Sequence, residues 1–189
     1  MALPVGIDVR DDLVSPELAQ QLVEKYRSAR YQYYWSSNAD DPFPQFHWHI
    51  DLVDRGASNT EDLSGIFDQL RKLYAEEHAV WQQIKAATGA TRLLRVYVNA
   101  YTHGNDPGPH VDSEGEGDFT AVVYLCKEWQ PDWAGETVIF TADRADIERS
   151  VLPKPGRVVI FPAERLHVAR GISRRCAELR IVLVFKLGR

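Results

Sequence analysis

Residues 96–112 read VYVNAYTHGNDPGPHVD, and this stretch decides how the chain folds. Its first half alternates between apolar and polar side chains, which is typical of a strand with one buried face. The second half contains two glycines and two prolines, which predict a turn before His110 and Asp112. Because residues two apart on an extended segment point to the same side, this imidazole and this carboxylate would face one partner.

A histidine far downstream, His167 in FPAERLHVAR, can complete a group of three metal ligands. Two histidines and one carboxylate, with coordination positions left open, are the ligand set of non-haem Fe(II) oxygenases. Arg180 then begins the apolar run RIVLVF, where a buried guanidinium needs an anion. The carboxylate of a co-substrate is one candidate for that anion.

The His-x-Asp pattern is weak by itself, because it occurs twice and His49 with Asp51 also fits it. Composition alone predicts about 0.5 occurrences in a chain with these residue counts. A rival triad of His49, Asp51 and His110 (or His103) therefore stays open. We favour the group that contains His167, because only that histidine is followed by an arginine on a β-branched run.

Composition limits the classes of protein to which the chain can belong. With 189 residues, 44% of them hydrophobic, a single domain over residues 1–189 is expected. The net charge of −5 gives no basic stripe and argues against a nucleic-acid partner. Two cysteines, Cys126 and Cys176, predict buried free thiols in the cytoplasm. With no apolar run of membrane length and no signal peptide, we expect no membrane partner; the pattern leaves the oligomeric state open.

Helical periodicity and capping residues predict two helices in the first 90 residues. A short edge strand is expected around Val5 to Val9. Ser15, followed by proline, predicts the start of a helix that ends near Arg30. Thr60 is expected to cap a long second helix, with Gly89 as its C-terminal cap.

An aromatic stretch at residues 31–56 separates these helices, and its prolines and the polar run at 38–41 predict irregular structure. We expect a flap over the core, with a lid or substrate-pocket wall as the alternative. His47, His49 and Asp51 are expected on one face of a short strand there. Their role stays open between structural residues, substrate contacts and a second metal site.

From Thr91 onward the pattern becomes alternating and predicts a sandwich or barrel with the helices packed outside one sheet. Strands are expected near 92–101, 109–112, 118–126, 136–141, 147–151, 156–161, 166–170 and 178–187. Alternation predicts three groups of residues that each share a face: Tyr97, Asn99 and Tyr101; Thr120, Val122 and Tyr124; Arg180, Val182 and Val184. If these faces point inward, they form a polar pocket in an apolar shell, as expected of a ligand site.

At these residues the chain resembles the Fe(II)- and 2-oxoglutarate-dependent dioxygenases, particularly their prolyl-hydroxylase-like branch. The resemblance covers about Leu94 to Leu187 and depends on pieces in family order: VNAY, HVD, TAVVYLCKEW, WAGET, PKPGRVVIF, His167 and RIVLVF. One departure is the interval of thirteen residues from His167 to Arg180, which is longer than in the most similar prolyl hydroxylases. It leaves Arg174 or Arg175 as a weaker alternative to Arg180.

The resemblance implies an α+β, mainly β fold with a double-stranded β-helix (jelly-roll) core at 91–189, buttressed by helices and the aromatic flap at 1–90. The metal ligands that it implies for Fe(II), which are also the catalytic residues, are His110, Asp112 and His167. The residues that it implies for 2-oxoglutarate are Arg180 and Tyr124, at the distal carboxylate, and Tyr101 and Thr120, along the pocket.

The implied activity is hydroxylation of an unactivated C–H bond with O2, releasing succinate and CO2, and ascorbate is a further candidate cofactor. Asp112 argues against halogenation, because related halogenases have a small residue at that position. We expect a small-molecule or amino-acid-like substrate, because no extended charged groove for a protein is evident. A prolyl or other residue in a protein is the alternative substrate. A cupin-like binding module without catalysis and an aromatic docking surface are the other hypotheses.

Overall fold

The computed structural model describes residues 6–37, 42–54 and 60–189. The described helices are α1 (Pro16–Arg27), α2 (Ser64–Gln69) and α3 (Ala75–Thr88). The described strands are β1 (Asp8–Arg10), β2 (Gln32–Trp35), β3 (His47–Val53), β4 (Arg92–Tyr101), β5 (Phe119–Leu125), β6 (Thr137–Phe140), β7 (Ile147–Val151), β8 (Val158–Pro162), β9 (His167–Ala169) and β10 (Arg180–Gly188). Every helix within the described ranges is too short or too polar to span a bilayer.

Two antiparallel sheets form the core of the fold. The larger has seven strands in the order β1-β8-β5-β10-β4-β3-β2, and the smaller has three in the order β7-β6-β9. Long strands β4, β5 and β10 lie side by side near the centre of the larger sheet. The prediction of a mainly β, jelly-roll fold with N-terminal helices is confirmed, and the sheets do not close into a continuous barrel.

The larger sheet packs on the helices with one face, as alternation along β10 predicts. Leu183 and Phe185 are fully buried in a cluster that includes Leu22 of α1 and Trp81 of α3. Burying each of these side chains contributes about 1.5–3 kcal/mol. This apolar layer supports the strands from outside and holds them in register.

The opposite face of the larger sheet turns toward the smaller sheet. Val182 and Val184 of β10 lie there in a second buried cluster, which includes Tyr124 of β5 and Ile139 of β6. The predicted inward orientation of these alternating positions is therefore confirmed. The polar residues that share this face lie between the two sheets.

The expected single long helix is wrong, because α2 and α3 are separate. Thr60 is not a helix cap, since α2 begins at Ser64. The carboxylate of Asp62 accepts hydrogen bonds from the N–H groups of Ser64 (3.0 Å) and Leu93 (3.1 Å). These bonds attach the segment just before α2 to the start of β4. Tyr74 then has φ −120° and ψ 54°, outside the helical region, so a new helix begins after it.

The helix caps at Ser15 and Gly89 are confirmed. The Ser15 hydroxyl accepts a hydrogen bond from the N–H of Leu18 at 3.3 Å, although α1 ends at Arg27, earlier than Arg30. Gly89 has φ 72°, the left-handed conformation that glycine adopts without strain, and closes α3.

The aromatic stretch is more regular than predicted, because β2 and β3 form a hairpin at the edge of the larger sheet. The hairpin is regular because β3 pairs with β4, and the sequence pattern of one strand does not reveal which strand it pairs with. His47, His49 and Asp51 lie on one face of β3, as predicted. The run at 38–41 and the residue Val5 lie outside the described residues, and the expected edge strand is observed as β1.

Most strand positions from Thr91 onward are confirmed within a few residues. The exception is 109–112, where the described structure has only an isolated β-bridge between His110 and His167. Cys126 and Cys176 are free and buried, as expected.

Candidate active site

Backbone pairing brings the three predicted metal ligands together. The N–H of His110 donates to the carbonyl of His167 at 3.0 Å, and the reverse bond measures 2.9 Å. The N–H of Asp112 donates to the carbonyl of Ala163 at 2.9 Å, next to the same turn. One ligand atom from each of the three side chains lies within 4.8 Å of the other two, and within the described ranges no other group of this kind occurs.

Both imidazole rings are oriented through Nδ1. His167 Nδ1 lies 2.9 Å from the carbonyl of Arg165, and His110 Nδ1 lies 3.4 Å from the carbonyl of Gly108. A carbonyl can only accept a hydrogen bond, so Nδ1 carries the proton and Nε2 presents its lone pair. The Nε2 atoms of His110 and His167 lie 3.6 and 3.4 Å from carboxylate oxygens of Asp112.

The protonation states suit a divalent metal. Burial and the neighbouring His167 lower the pKa of His110 to about 4, and burial lowers the pKa of His167. Burial acts to raise the pKa of Asp112, but the neighbouring groups, above all the ammonium group of Lys186, outweigh it and lower that pKa. Neutral imidazoles and an ionised carboxylate are the forms that bind metal, so these residues fit the metal that the motif predicts.

Arg180 lies in the interior beside the triad. Its Nε donates to the carbonyl of Gly135 at 2.7 Å, and a terminal nitrogen donates to Thr137 Oγ1 at 2.9 Å. The rings of Tyr101 and Tyr124 lie 5.3 and 5.5 Å from its guanidinium carbon. It is 2% exposed and has no acidic partner among the described residues, so it can accept an anionic ligand.

The other predicted pocket residues have hydrogen bonds of their own. Tyr124 donates to Thr137 Oγ1 at 2.7 Å, and Tyr101 accepts from Asn99 at 3.1 Å. Thr120 donates to Asp112 Oδ2 at 2.6 Å, so its hydroxyl contacts the carboxylate of the triad.

The structure does not assemble the rival triad. His49 Nε2 lies 2.9 Å from Asp51, and His49 Nδ1 lies 2.6 Å from Asn99, so this pair forms a hydrogen-bonded cluster on β3 and β4. His103 is exposed on the loop after β4. Arg175 is also exposed and pairs with Asp132 at 3.2 Å, outside the pocket.

Sequence reasoning missed two residues of this site. Thr137 accepts hydrogen bonds from both Arg180 and Tyr124, but a threonine on a strand carries no signal of such a role. Lys186 pairs with Asp112 from the inner face of β10. Its position, six residues after Arg180 and therefore on the same face, was a signal available in the alternation.

A cavity of about 120 Å³ adjoins the triad. Arg95 lines it, with its guanidinium carbon 4.9 Å from the ring of Trp35 and 4.7 Å from that of Tyr97. Asp51 fixes the same guanidinium at 2.7 Å. The other lining residues are Ser36, Ser37, Asn99, His110, Val111, Asp112 and Lys186. The cavity therefore combines aromatic walls with charged and polar groups directly beside the predicted metal ligands.

Residues 96–185 match the model of the 2OG-Fe(II) oxygenase superfamily. The resemblance predicted from the ordered motifs is therefore confirmed. The matched range contains the triad, Arg180, Tyr101, Thr120 and Tyr124. The match indicates an oxidoreductase enzyme of a class that depends on Fe(II) and 2-oxoglutarate. None of the curated proteins matches this sequence.

Solved structures agree with the chain in fold. A prolyl-4-hydroxylase of Pseudomonas putida is 20% identical with a TM-score of 0.61, over 97% of this chain and 92% of that chain. A Trichoplax adhaerens prolyl hydroxylase in complex with a hypoxia inducible factor peptide is 13% identical, with a TM-score of 0.65 over 97% and 83%. HygX of Streptomyces hygroscopicus, with nickel and 2-oxoglutarate bound, is 14% identical, with a TM-score of 0.59 over 97% and 82%. At these identities the likeness establishes the architecture.

Proposed function

We propose that this chain is an Fe(II)- and 2-oxoglutarate-dependent hydroxylase that acts on a small, polar, amino-acid-like molecule. The observation that carries the proposal is the convergence of three metal-binding atoms within 4.8 Å of one another. A buried guanidinium without an acidic partner among the described residues lies beside them. In this proposal His110, Asp112 and His167 hold iron, and residues 1–189 act as one cytoplasmic domain.

Iron, 2-oxoglutarate and O2 together supply the oxidising chemistry. The chain orients the ligands: carbonyl groups hold both histidines by Nδ1, and Thr120 holds one oxygen of Asp112. Arg180 would pair with the distal carboxylate of 2-oxoglutarate, with Tyr124 as a second donor. Charge-assisted hydrogen bonds in such a dry interior are stronger than those at the surface.

Tyr101 would form one wall of the co-substrate pocket, because its ring lies against Arg180. Thr120 would act at the boundary between metal and co-substrate, since its hydroxyl already binds Asp112. Burial of both side chains keeps water from the reacting centre.

The cavity beside the triad supports a small substrate. The described residues enclose about 120 Å³ there, which suits a molecule of amino-acid size. The guanidinium of Arg95 and the hydroxyl and amide groups of its walls favour a polar molecule. This site is the proposed location of the C–H bond to be oxidised, next to His110 and Asp112.

One observation favours a second candidate, hydroxylation of a residue in a protein. Tyr33 and Tyr34 of edge strand β2 are 51% and 71% exposed, and Phe43, in the segment between β2 and β3, is 80% exposed. The ring of Tyr34 stacks on that of Phe46 at 3.8 Å and lies 6.3 Å from that of Tyr33, so these three rings adjoin one another. An edge strand with exposed aromatic side chains can bind an extended peptide by strand addition. The peptide in the Trichoplax neighbour agrees with this candidate.

Anaerobic titration with Fe(II) and 2-oxoglutarate, followed by the visible charge-transfer band, tests the proposed class. Wild type should develop the band, and His167→Ala should not, because one of three ligands is lost. Arg180→Ala should need roughly 10- to 100-fold more 2-oxoglutarate, because a charge-assisted pair is removed.

Two exposed side chains provide matched controls, and His103→Ala and Arg174→Ala should behave as wild type. No band in folded wild type would disprove the proposed class. Succinate release with amino acids and with proline-containing peptides then separates the two substrate candidates, since only one set should stimulate turnover.

A further inference from the structure

A lysine is buried at the metal site, on the strand that also carries Arg180. Lys186 is 7% exposed, and its Nζ forms an ion pair with Asp112 Oδ2. The same nitrogen lies 3.4 Å from Thr120 Oγ1 and 5.8 Å from the centroid of the Tyr97 ring. A buried ammonium group is costly unless it is paired. Among the described residues, Asp112 is its only acidic partner within 4 Å, so the two charges depend on each other.

The two oxygens of Asp112 have different surroundings. Oδ2 accepts the hydrogen bond from Thr120 at 2.6 Å and the ion pair from Lys186. Oδ1 lies 3.6 Å from His110 Nε2 and has no hydrogen-bond donor among the described residues. Oδ2 also lies 3.4 Å from His167 Nε2, so each oxygen is near one of the two histidines. Because two donors occupy Oδ2, Oδ1 is the oxygen that is left free to bind a metal. Of the two donors to Oδ2, Thr120 is neutral and Lys186 is charged.

We propose that Lys186 is a positioning residue that limits Asp112 to one-oxygen ligation of the metal and moderates metal affinity through its charge. This inference rests on the proposed metal site. A carboxylate that bound through both oxygens would take a coordination position that 2-oxoglutarate needs. The ammonium group prevents this because it holds Oδ2. It also repels a divalent ion at short range, where the interior screens charge weakly.

Substitutions of Lys186 separate orientation from charge. Lys186→Met removes both, so Mn²⁺ should bind at least about tenfold more tightly, because the repulsion is gone. At saturating Fe(II), the same variant should bind 2-oxoglutarate roughly tenfold more weakly, because the neutral hydroxyl of Thr120 then holds Oδ2 alone and Asp112 can turn to use both oxygens. Lys186→Gln keeps a donor for Oδ2 without the charge. It should therefore bind Mn²⁺ more tightly but bind 2-oxoglutarate as wild type does.

Calorimetric titration with Mn²⁺ and anaerobic titration of the charge-transfer band measure these two affinities without turnover. Circular dichroism first establishes that each variant is folded, and Lys186→Gln tests the inference if Lys186→Met does not fold. Lys72→Met, an exposed lysine between α2 and α3, should leave both affinities unchanged. Lys186→Arg, which keeps charge and donors, should stay close to wild type.

Weaker binding of both Mn²⁺ and 2-oxoglutarate in Lys186→Met and Lys186→Gln would overturn the inference and leave Lys186 with a structural role. Unchanged affinities in both variants would overturn it as well. Failure of the proposed function looks different, since wild type itself would then bind no metal and give no band.

Discussion

Replacing His47 with phenylalanine should make the fold less sensitive to acid. His47 is completely buried on β3, and neither ring nitrogen has a hydrogen-bond partner within the described ranges. Its ring stacks on Tyr101 with centroids 4.7 Å apart. Burial, together with the charges of His49 and His110, lowers the pKa of His47 to about 3. Phenylalanine keeps a flat ring at this position but cannot bind a proton.

The magnitude follows from the difference between folded and unfolded protein. In the unfolded chain His47 titrates near 6.5, so between that pH and its folded pKa of about 3 the unfolded state binds the extra proton. Because the folded pKa is the lower one, stability is fully present above pH 6.5 and is lost as pH falls. From pH 7.5 to 4.5, His47 should remove about 2–3 kcal/mol from the free energy of unfolding.

Chemical denaturation at pH 7.5 and pH 4.5, with a chelator throughout, measures this contribution. Stability of wild type should fall by about 2–3 kcal/mol more than that of His47→Phe over this interval. The matched control is His103→Phe, at an exposed loop position, which should keep the wild-type pH dependence. Equal pH dependence in wild type and His47→Phe would show that His47 is not held neutral by burial.

Three further substitutions test other contacts. Thr137→Val should lower the free energy of unfolding by about 1–3 kcal/mol in denaturant, because a buried donor of Arg180 loses its acceptor; Thr137→Ser should retain most of it. Glu77→Ala should lower the free energy of unfolding by about 3 kcal/mol, because the fully buried Glu77 pairs with Lys25. Glu76 pairs with the same lysine but is partly exposed, so Glu76→Ala should lower it by under about 1 kcal/mol. Gly135→Ala should weaken 2-oxoglutarate binding in the band titration, because Gly135 has φ +77° and an added Cβ would lie 3.3 Å from Arg180 Cδ.

Strand alternation explains how much of the site the sequence could predict. Period-two patterns identified the inward faces of β4, β5 and β10, and these faces carry Tyr101, Thr120, Tyr124 and Arg180. The pattern succeeds because a one-residue change of register would expose an entire apolar face. Helical periodicity and capping residues, by contrast, wrongly predicted one long second helix, because the contact of Asp62 with β4 has no local signature.

The choice between the two His-x-Asp pairs shows the limit of a local pattern. Nothing within His49-Ile50-Asp51 or His110-Val111-Asp112 says which pair meets a third ligand. The bridge between His110 and His167 joins residues 57 positions apart, and it depends on how the two sheets face each other.

Local periodicity and residue type determined a sandwich or barrel class, the strand faces and the set of side chains available for chemistry, and the resemblance of the ordered motifs to a known family implied the jelly-roll core. Only the tertiary structure decided which side chains meet. It separated His49 and Asp51 from the proposed metal ligands, placed Thr137 between Arg180 and Tyr124, and buried Lys186 against Asp112. These outcomes depend on contacts between strands distant in sequence, where burial and charge pairing act together, and no segment of the chain contains that information alone.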